Sequence, residues 1–514
     1  MKKTLFTFLL LGTVSFAYAQ GLEFDAGYGT NGYTTGAVSG NYNNFNSIRI
    51  NNDQTTIVLG QDMVNDASKG FIAKYTISGQ PDNTFGTNGI TRFNDGNDID
   101  HYFMALELQS DGKILVGGYN EDVNTEDKTY YVKRFLTNGV IDSAFGTFGY
   151  AQIFHATTSL AGTHVSNISI QNDGKILVCG EGESAITRLK TDGTVDSTFG
   201  TNGIVDIDIA TTNGLYYNQV QALADGKIII GAYVSYSTPS SSTNEIWIYR
   251  LNNDGTLDNT FATSGKHIFS LNDKAVGIYN LKIQSDNKIV AGGFVYEDGN
   301  DTTSLLLVRL NTNGTLDNTF GAQGYVIYPI ASTDAEPAVL HLAGNNRLAY
   351  TYVDYADNTT GIVMFQADGS PDATFNGSTE LKKIGNIEQG VFAPNLAFQD
   401  DGKIVLAGAV ALDNQWSTAQ SFIGRLQPKA ASVKKLGNDV ARIYPNPAQS
   451  HLTIDLKNAR QANVAILDIT GKVVLNSAIQ DRQNIDVSNI PAGSYMIMIT
   501  TAQGTAQQKI QIVR

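Results

Sequence analysis

The sequence predicts an all-β protein, a seven-bladed β-propeller followed by a small C-terminal β-sandwich. Three observations carry this reading. A pattern Asp-x-x-(Phe/Tyr)-Gly-x-x-Gly recurs, in places degraded, at Asp25, Asp82, Asp142, Asp196, Asp258, Asp317 and Asp372, with a mean step of about 58 residues. A second pattern, Gln-x-Asp-Gly-Lys-Ile, keeps the same beat at Asp111, Asp173 and Asp401. Weaker copies lie at Asp225 and Asp286, and eroded ones near Asp53 and Asn345. After Ile443 both patterns stop and short alternating strands take over.

Residues 1–19 read as a secretory signal. Lys2 and Lys3 form the positive start, Leu5 through Phe16 a short and mostly apolar stretch, and Ala17-Tyr18-Ala19 the small-x-small cleavage site, leaving Gln20 first in the mature chain. A membrane anchor would need about 20 apolar residues, and no other segment is apolar enough to span a bilayer. The net charge of −14 becomes −16 without the two lysines. No Lys/Arg-rich stripe offsets it, which argues against nucleic acid as a partner.

The body, residues 20–428, divides into seven units. The second has candidate strands at residues 90–93, 103–109, 113–118 and 130–135. Ser110-Asp111-Gly112-Lys113 joins two of them, because Asp and Gly tolerate the positive φ of a tight turn. The last strand ends on a cation in most units, at Lys74, Arg134, Arg188, Arg250, Arg309 and Arg425. Four short strands per repeat, with no helical spacing, fit propeller blades. A β-solenoid is the runner-up, although its coils are usually shorter. The chain enters near Asp25 and leaves after Arg425-Leu426, adjacent points of the repeat frame, as ring closure requires.

These units resemble the delta-60 repeat family of bacterial secreted proteins. The residues that carry the likeness are Asp111-Gly112-Lys113-Ile114-Leu115-Val116-Gly117-Gly118 and Gly193-Thr194-Val195-Asp196-Ser197-Thr198-Phe199-Gly200. The resemblance spans about residues 22–428 and implies a propeller-like fold without naming a ligand. Asn52-Asp53-Gln54 and Asn345-Asn346-Arg347 depart from Asp-Gly-Lys in the first and sixth units.

Residues 429–442 read as a linker and 443–514 as the β-sandwich, with strands over Leu452-Thr453-Ile454-Asp455-Leu456 and Val464-Ala465-Ile466-Leu467. Pro445-Asn446-Pro447, Gly471-Lys472, Gly493-x-Tyr495 and the terminal strand from Lys509 follow the order seen in the type A C-terminal sorting domain of the type IX secretion system, which this tail resembles. The resemblance implies a Gram-negative cell and export to the medium or the outer surface, with the secretion machinery as a partner through residues 443–514. An adhesive β-sandwich that stays in place is the alternative.

Chemical constellations are sparse. His101, His155, His164, His267, His341 and His451 lack zinc-site spacing, and there is no Gly-x-Ser-x-Gly elbow or phosphate-binding loop. No catalytic, cofactor-binding or metal residue and no cofactor is therefore assigned. The one cysteine, Cys179, sits in an apolar run and reads as a buried hydrophobe. Each Asp of Asp-x-x-Phe is expected to accept backbone N–H groups in its own loop. The companions Phe85, Phe145, Phe199, Phe261, Phe320 and Phe375 are expected to plug between blades. Asn94-Asp95-Gly96-Asn97-Asp98 and Glu297-Asp298-Gly299-Asn300-Asp301 are oxygen-rich but lack the full calcium-loop pattern, so solvated turns are expected.

Unit length varies mainly after the Lys-Ile-Leu-Val strand, at Tyr119 to Asp127, Tyr233 to Glu245 and Tyr296 to Thr303. Variable loops at equivalent places on a rigid ring suit recognition. Exposed Tyr with carboxylates suits a glycan or protein ligand on one face. The expected function is thus a secreted, non-catalytic binding propeller. A polysaccharide-acting hydrolase or lyase and a purely structural envelope component are the alternatives.

Overall fold

The computed structural model describes residues 22–36, 43–64, 67–93, 99–153, 164–181, 185–206, 215–238, 241–271, 274–297, 303–330, 332, 334–356, 359–372, 375, 391–412, 418–428, 434–435, 441–457, 459–468, 473–501 and 504–514. The signal at 1–19, His155 and most of the two oxygen-rich loops lie outside these residues. The chain divides into two compact units, residues 19–429 and the C-terminal segment from Ala430.

Seven antiparallel sheets make up the first unit. Blade 1 contains Asn43–Ile50, Thr56–Val64, Ala67–Tyr75 and Ile90–Arg92. Blade 2 contains Ile99–Leu108, Ile114–Asp122, Lys128–Phe135 and Tyr150–Gln152, and blades 3, 4 and 5 repeat this order from His164, Leu215 and Lys274. In blade 6 the described strands are Ala335–Leu342, Leu348–Asp354 and Thr359–Phe365. Blade 7 takes Val391–Phe398, Ile404–Ala411 and Ala419–Pro428 from the end of the unit, and its outer strands, Leu22–Phe24 and Tyr33–Thr35, from the beginning. Each sheet packs on the next and the seventh packs on the first, with the first strand of every blade innermost. The ring is closed, as the repeat frame requires, and a solenoid is excluded.

One expectation is corrected. Ile90–Arg92 does not belong to the blade of residues 103–135. It pairs with Ala67–Tyr75 of the preceding blade. The sheet frame is offset from the sequence repeat by one strand, so each Asp-x-x-Phe loop turns the chain back onto the blade it has just left. For the same reason residues 22–35 have only blade 7 to complete. Leu22, Glu23 and Phe24 pair with Pro428, Gln427 and Leu426, and Tyr33, Thr34 and Thr35 with Gly424, Ile423 and Phe422. The last blade is thereby closed by backbone hydrogen bonds between the two ends of the unit, which no loop could supply.

Register is unusually uniform. Every innermost strand has a β-bulge at the same place, for example between Phe45 and Ser47, between Phe103 and Ala105, and between Ile278 and Asn280. A bulge adds local twist, here at the same height in each blade. At the Asp-Gly-Lys hairpin Gly112 has φ +81°, and Gln54, Asn287 and Asn346 take up the same left-handed region, with φ +64°, +61° and +58°, where units one, five and six lack the glycine.

The second unit has its own core. Ala441–Tyr444, His451–Leu456 and Arg482–Asp486 form one sheet, and Gln461–Leu467, Val473–Gln480, Gly493–Thr501 and Gly504–Ile512 form the other. Leu452, Ile454, Val464, Ile466, Ile497, Ile499, Ile510 and Ile512 are buried together. Lys434–Lys435, inside the expected linker, adds a parallel strand against Ala506 and Gln507. The side chain of Asn446 donates to the Lys509 carbonyl (3.1 Å) and accepts from the Gln511 N–H (2.8 Å), so the Pro-Asn-Pro turn is tied to the terminal strand.

Candidate functional site

The repeated aspartates come first, because their pattern is the most conspicuous in the sequence. Asp196 Oδ1 accepts the backbone N–H and the hydroxyl of Thr198 at 3.2 and 2.7 Å. Its Oδ2 takes Arg188 Nε at 2.8 Å and Lys175 Nζ at 3.2 Å. The paired cations recur at Asp25, Asp142, Asp258 and Asp317, and the threonine hydroxyl at Asp258 and Asp317. The expected loop role is present, together with an ion-pair role that sequence reading missed. The signal lay in the strand-ending cations, which, Arg425 with Asp25 apart, fall eight residues before the aspartates they hold. Burial pushes the Asp196 carboxyl up. The bonds from Thr198 and Lys175 and the Arg188 charge outweigh it and hold the group at about 2.

The cations also join blades. The guanidinium of Arg134, Arg188 and Arg309 lies 4.4 Å from the ring centroid of Phe145, Phe199 and Phe320 respectively, with Arg250 4.7 Å from Phe261 and Arg425 4.7 Å from Tyr28. Each then donates through its terminal nitrogen to a turn carbonyl of the following blade: Thr191, Asn253, Ala367, Thr312 and, across the closure, Ile77. The plugging rings are buried as expected. These groups are structural joints, fully occupied by one another.

A groove of about 980 Å³ runs along the flank of blade 2 to the turn of blade 3. Asn120, Asp122, Thr125 and Asp127 from the Tyr119 to Asp127 insertion line one end, and Tyr131, Tyr150 and Gln152 line its wall. Phe148 stands at the other end, 79% exposed. Its φ is +54°, a backbone region that disfavours bulky side chains. The corresponding residues in the five other repeats described at this position are Asn31, Asn88, Asn202, Ser264 and Gln323, all polar and all at φ between +51° and +65°. An aromatic side chain therefore occupies a left-handed position that every described counterpart fills with a polar group. Sequence reading passed it over because the pattern marked that position as "x".

The Tyr119 to Asp127 insertion extends the hairpin of blade 2, and the strands of blade 4 stay paired through Tyr233 and Glu245 towards Thr238 and Ser241. Tyr119 is stacked on Tyr102 at 4.9 Å and leans on Tyr130 at 5.8 Å, with Lys128 over its ring at 5.1 Å. Burial, then the charge of Glu121, pushes its phenol up to about 12. Tyr233, expected at the surface, packs against the core between blades 4 and 5. Asp122 uses its Oδ1 to accept the N–H groups of Asn124 (2.8 Å) and Thr125 (3.2 Å), which shapes the hairpin tip. Cys179 is buried, and burial raises its thiol to about 12. Among the described residues no group of three or more His, Cys, Asp or Glu is placed to hold a metal ion, and no helix is long and apolar enough to cross a membrane.

Comparison with known proteins agrees with this division. Residues 109–145, 171–199, 223–261 and 284–320 match the family described as a domain of unknown function (DUF5122) beta-propeller. No curated protein matches the chain. Among solved structures, prolyl oligopeptidase B from Galerina marginata is 13% identical, with 82% of this chain and 56% of that one covered and a TM-score of 0.42. This chain thus spans little more than half of that protein. Polysaccharide lyase Uly1 is 9% identical, with 74% and 89% covered and a TM-score of 0.46. Residues 442–513 match the family described as a secretion system C-terminal sorting domain. The chain is therefore a β-propeller joined to a C-terminal sorting domain, the make-up of cargo secreted through the type IX system of Gram-negative bacteria.

Proposed function

We propose that this protein is a secreted, non-catalytic glycan-binding propeller, exported by its C-terminal domain and reading its ligand in the groove on blade 2. The observation that carries the reading is Phe148, an exposed ring held at a left-handed backbone position beside carboxylates, amides and tyrosines. Backbone outliers of this kind concentrate at functional sites, where the strain serves the site. A sugar ring offers an apolar face for stacking and hydroxyls for Asn120, Asp127 and Gln152. The commitment of Asp122 to its own turn favours binding over acid–base work. We read the repeats themselves as of the delta-60 kind, on their period.

Phe148→Asn restores the residue found in three of the other repeats, Asn31, Asn88 and Asn202. On a glycan array the full chain is expected to bind a defined set of sugars and the variant to lose them by about ten-fold or more. Its unfolding midpoint should stay level or rise, because Asn tolerates the left-handed region better. Binding that survives the substitution, or a variant that loses both binding and stability, would remove the case for this groove.

A further inference from the structure

The innermost strands place one residue each at a common level of the ring. Arg49, Glu107, Ser169, Gln221, Lys282, His341 and Ala397 occupy equivalent register positions, opposite Ile57, Leu115, Leu177, Ile229, Val290, Ala349 and Val405. All lie one residue before the strand end that leads to the Asp-Gly-Lys hairpin, so this level sits near the hairpin-side mouth of the channel. Arg49 and Glu107 also line a cavity of about 490 Å³ between the hairpin ends of blades 1 and 2.

The charges at this level do not balance. Arg49 holds Glu107 at 3.2 Å, which leaves the ammonium of Lys282 in excess. Enclosure by the ring lowers the Lys282 pKa to about 8. The Arg49 charge adds to the shift and Glu107, already taken, opposes it. Arg49 and Glu107 belong to blades 1 and 2 and Lys282 to blade 5, so these fields act across the channel. His341, on blade 6, is held well below its ordinary value by burial and then by the Lys282 and Arg49 charges. Its Nε2 is buried and takes no hydrogen bond among the described residues. A cationic excess with an unused ring nitrogen, inside a chain of net charge −14, needs an explanation.

We propose that this level of the channel is a binding site for a small oxyanion, held between Lys282 and His341 with Arg49 as a second positive wall. A bound carboxylate, sulfate or phosphate would offset the Lys282–Arg49 repulsion and accept a hydrogen bond from the His341 ring. The shared chemistry fits either a free inorganic anion or the acid group of a sugar, and the probes separate them. The site is distinct from the groove on blade 2 and does not depend on it.

The test is calorimetric titration of the full chain with sulfate, phosphate, glucuronate and neutral glucose at constant ionic strength. Saturable binding of at least one anion, and not of glucose, is expected. It should weaken about ten-fold or more in Lys282→Met, a loss in keeping with removal of one charged hydrogen bond, and stay unchanged in Phe148→Asn. Saturation by glucuronate assigns a sugar acid, and saturation by sulfate or phosphate alone assigns a free anion. Because Lys282→Met could disturb folding, wild-type chain reductively methylated with ¹³C supplies a second readout. A dimethyl-lysine signal absent from the Lys282→Met spectrum should move saturably with the same anion. No saturable binding by any anion, or equal binding by a folded Lys282→Met, overturns the proposal.

Discussion

Each repeated aspartate shows at the scale of single residues how one side chain serves three neighbours. Asp196 orders its own loop, neutralises Arg188 and receives Lys175, while only 2% exposed. Replacing it by Ala leaves Arg188 buried beside Phe199 without its carboxylate. A loss of about 3 kcal/mol is expected, measured as a fall in unfolding free energy in urea. The sign with pH follows from the depressed pKa. A carboxyl held at about 2 when folded, against about 4 when unfolded, contributes its full stability above about pH 4 and loses it as the pH falls towards 2. Asp258 and Asp317 are depressed further in the same direction, where burial is outweighed by Lys and Thr hydrogen bonds. Acid unfolding that is equally steep in Asp196→Ala and wild type would contradict this account.

The blade joint is the informative element. At six joints a backbone N–H just after the plugging ring reaches a turn carbonyl of the next blade, as Gly146 does to Asp192 at 2.7 Å. Five of the joints add the arginine described above. Blade 1 has Lys74, which reaches Asp82 at 3.2 Å and is too short for the turn beyond. Lys74→Arg should let the side chain keep Asp82 and donate to the Thr137 carbonyl, the counterpart of Thr191. A gain of about 1 kcal/mol is expected, read as a higher urea midpoint at unchanged slope, and no gain would mean the joint is set by its backbone alone. Blade 6 carries Met364 at the same position, and Arg347 from the hairpin reaches Asp372 instead.

At the scale of the molecule, the two units have separate cores, so loss of one should not unfold the other. Deleting residues 443–514 is expected to leave the propeller's thermal unfolding unchanged and to strand the chain in the periplasm, followed by fractionation and immunoblotting. Normal appearance of the truncated chain in the medium would refute export through this domain. Within the tail, Arg514 donates to the carbonyls of Val487 (3.2 Å) and Ser488 (2.7 Å), joining the last residue to the loop before Gly493. The Pro-Asn-Pro turn is thus tied to the terminal strand, and the end of that strand to the loop before Gly493.

The sequence by itself determined the number of blades, the order of strands, the buried Phe plugs and the presence of a second β-domain. These follow from period, alternation and turn chemistry, which are local and repeat seven times. It left the strand offset unread, because Ile90–Arg92 looks alike whichever sheet it joins and only hydrogen-bond pairing decides. It also left the blade 2 groove and the channel charges unread. Phe148 and Lys282 are unremarkable in a linear pattern, and their meaning comes from equivalence and proximity around a closed ring. Residues more than 200 positions apart, Arg49 and Lys282 among them, share one field only because blade 7 meets blade 1.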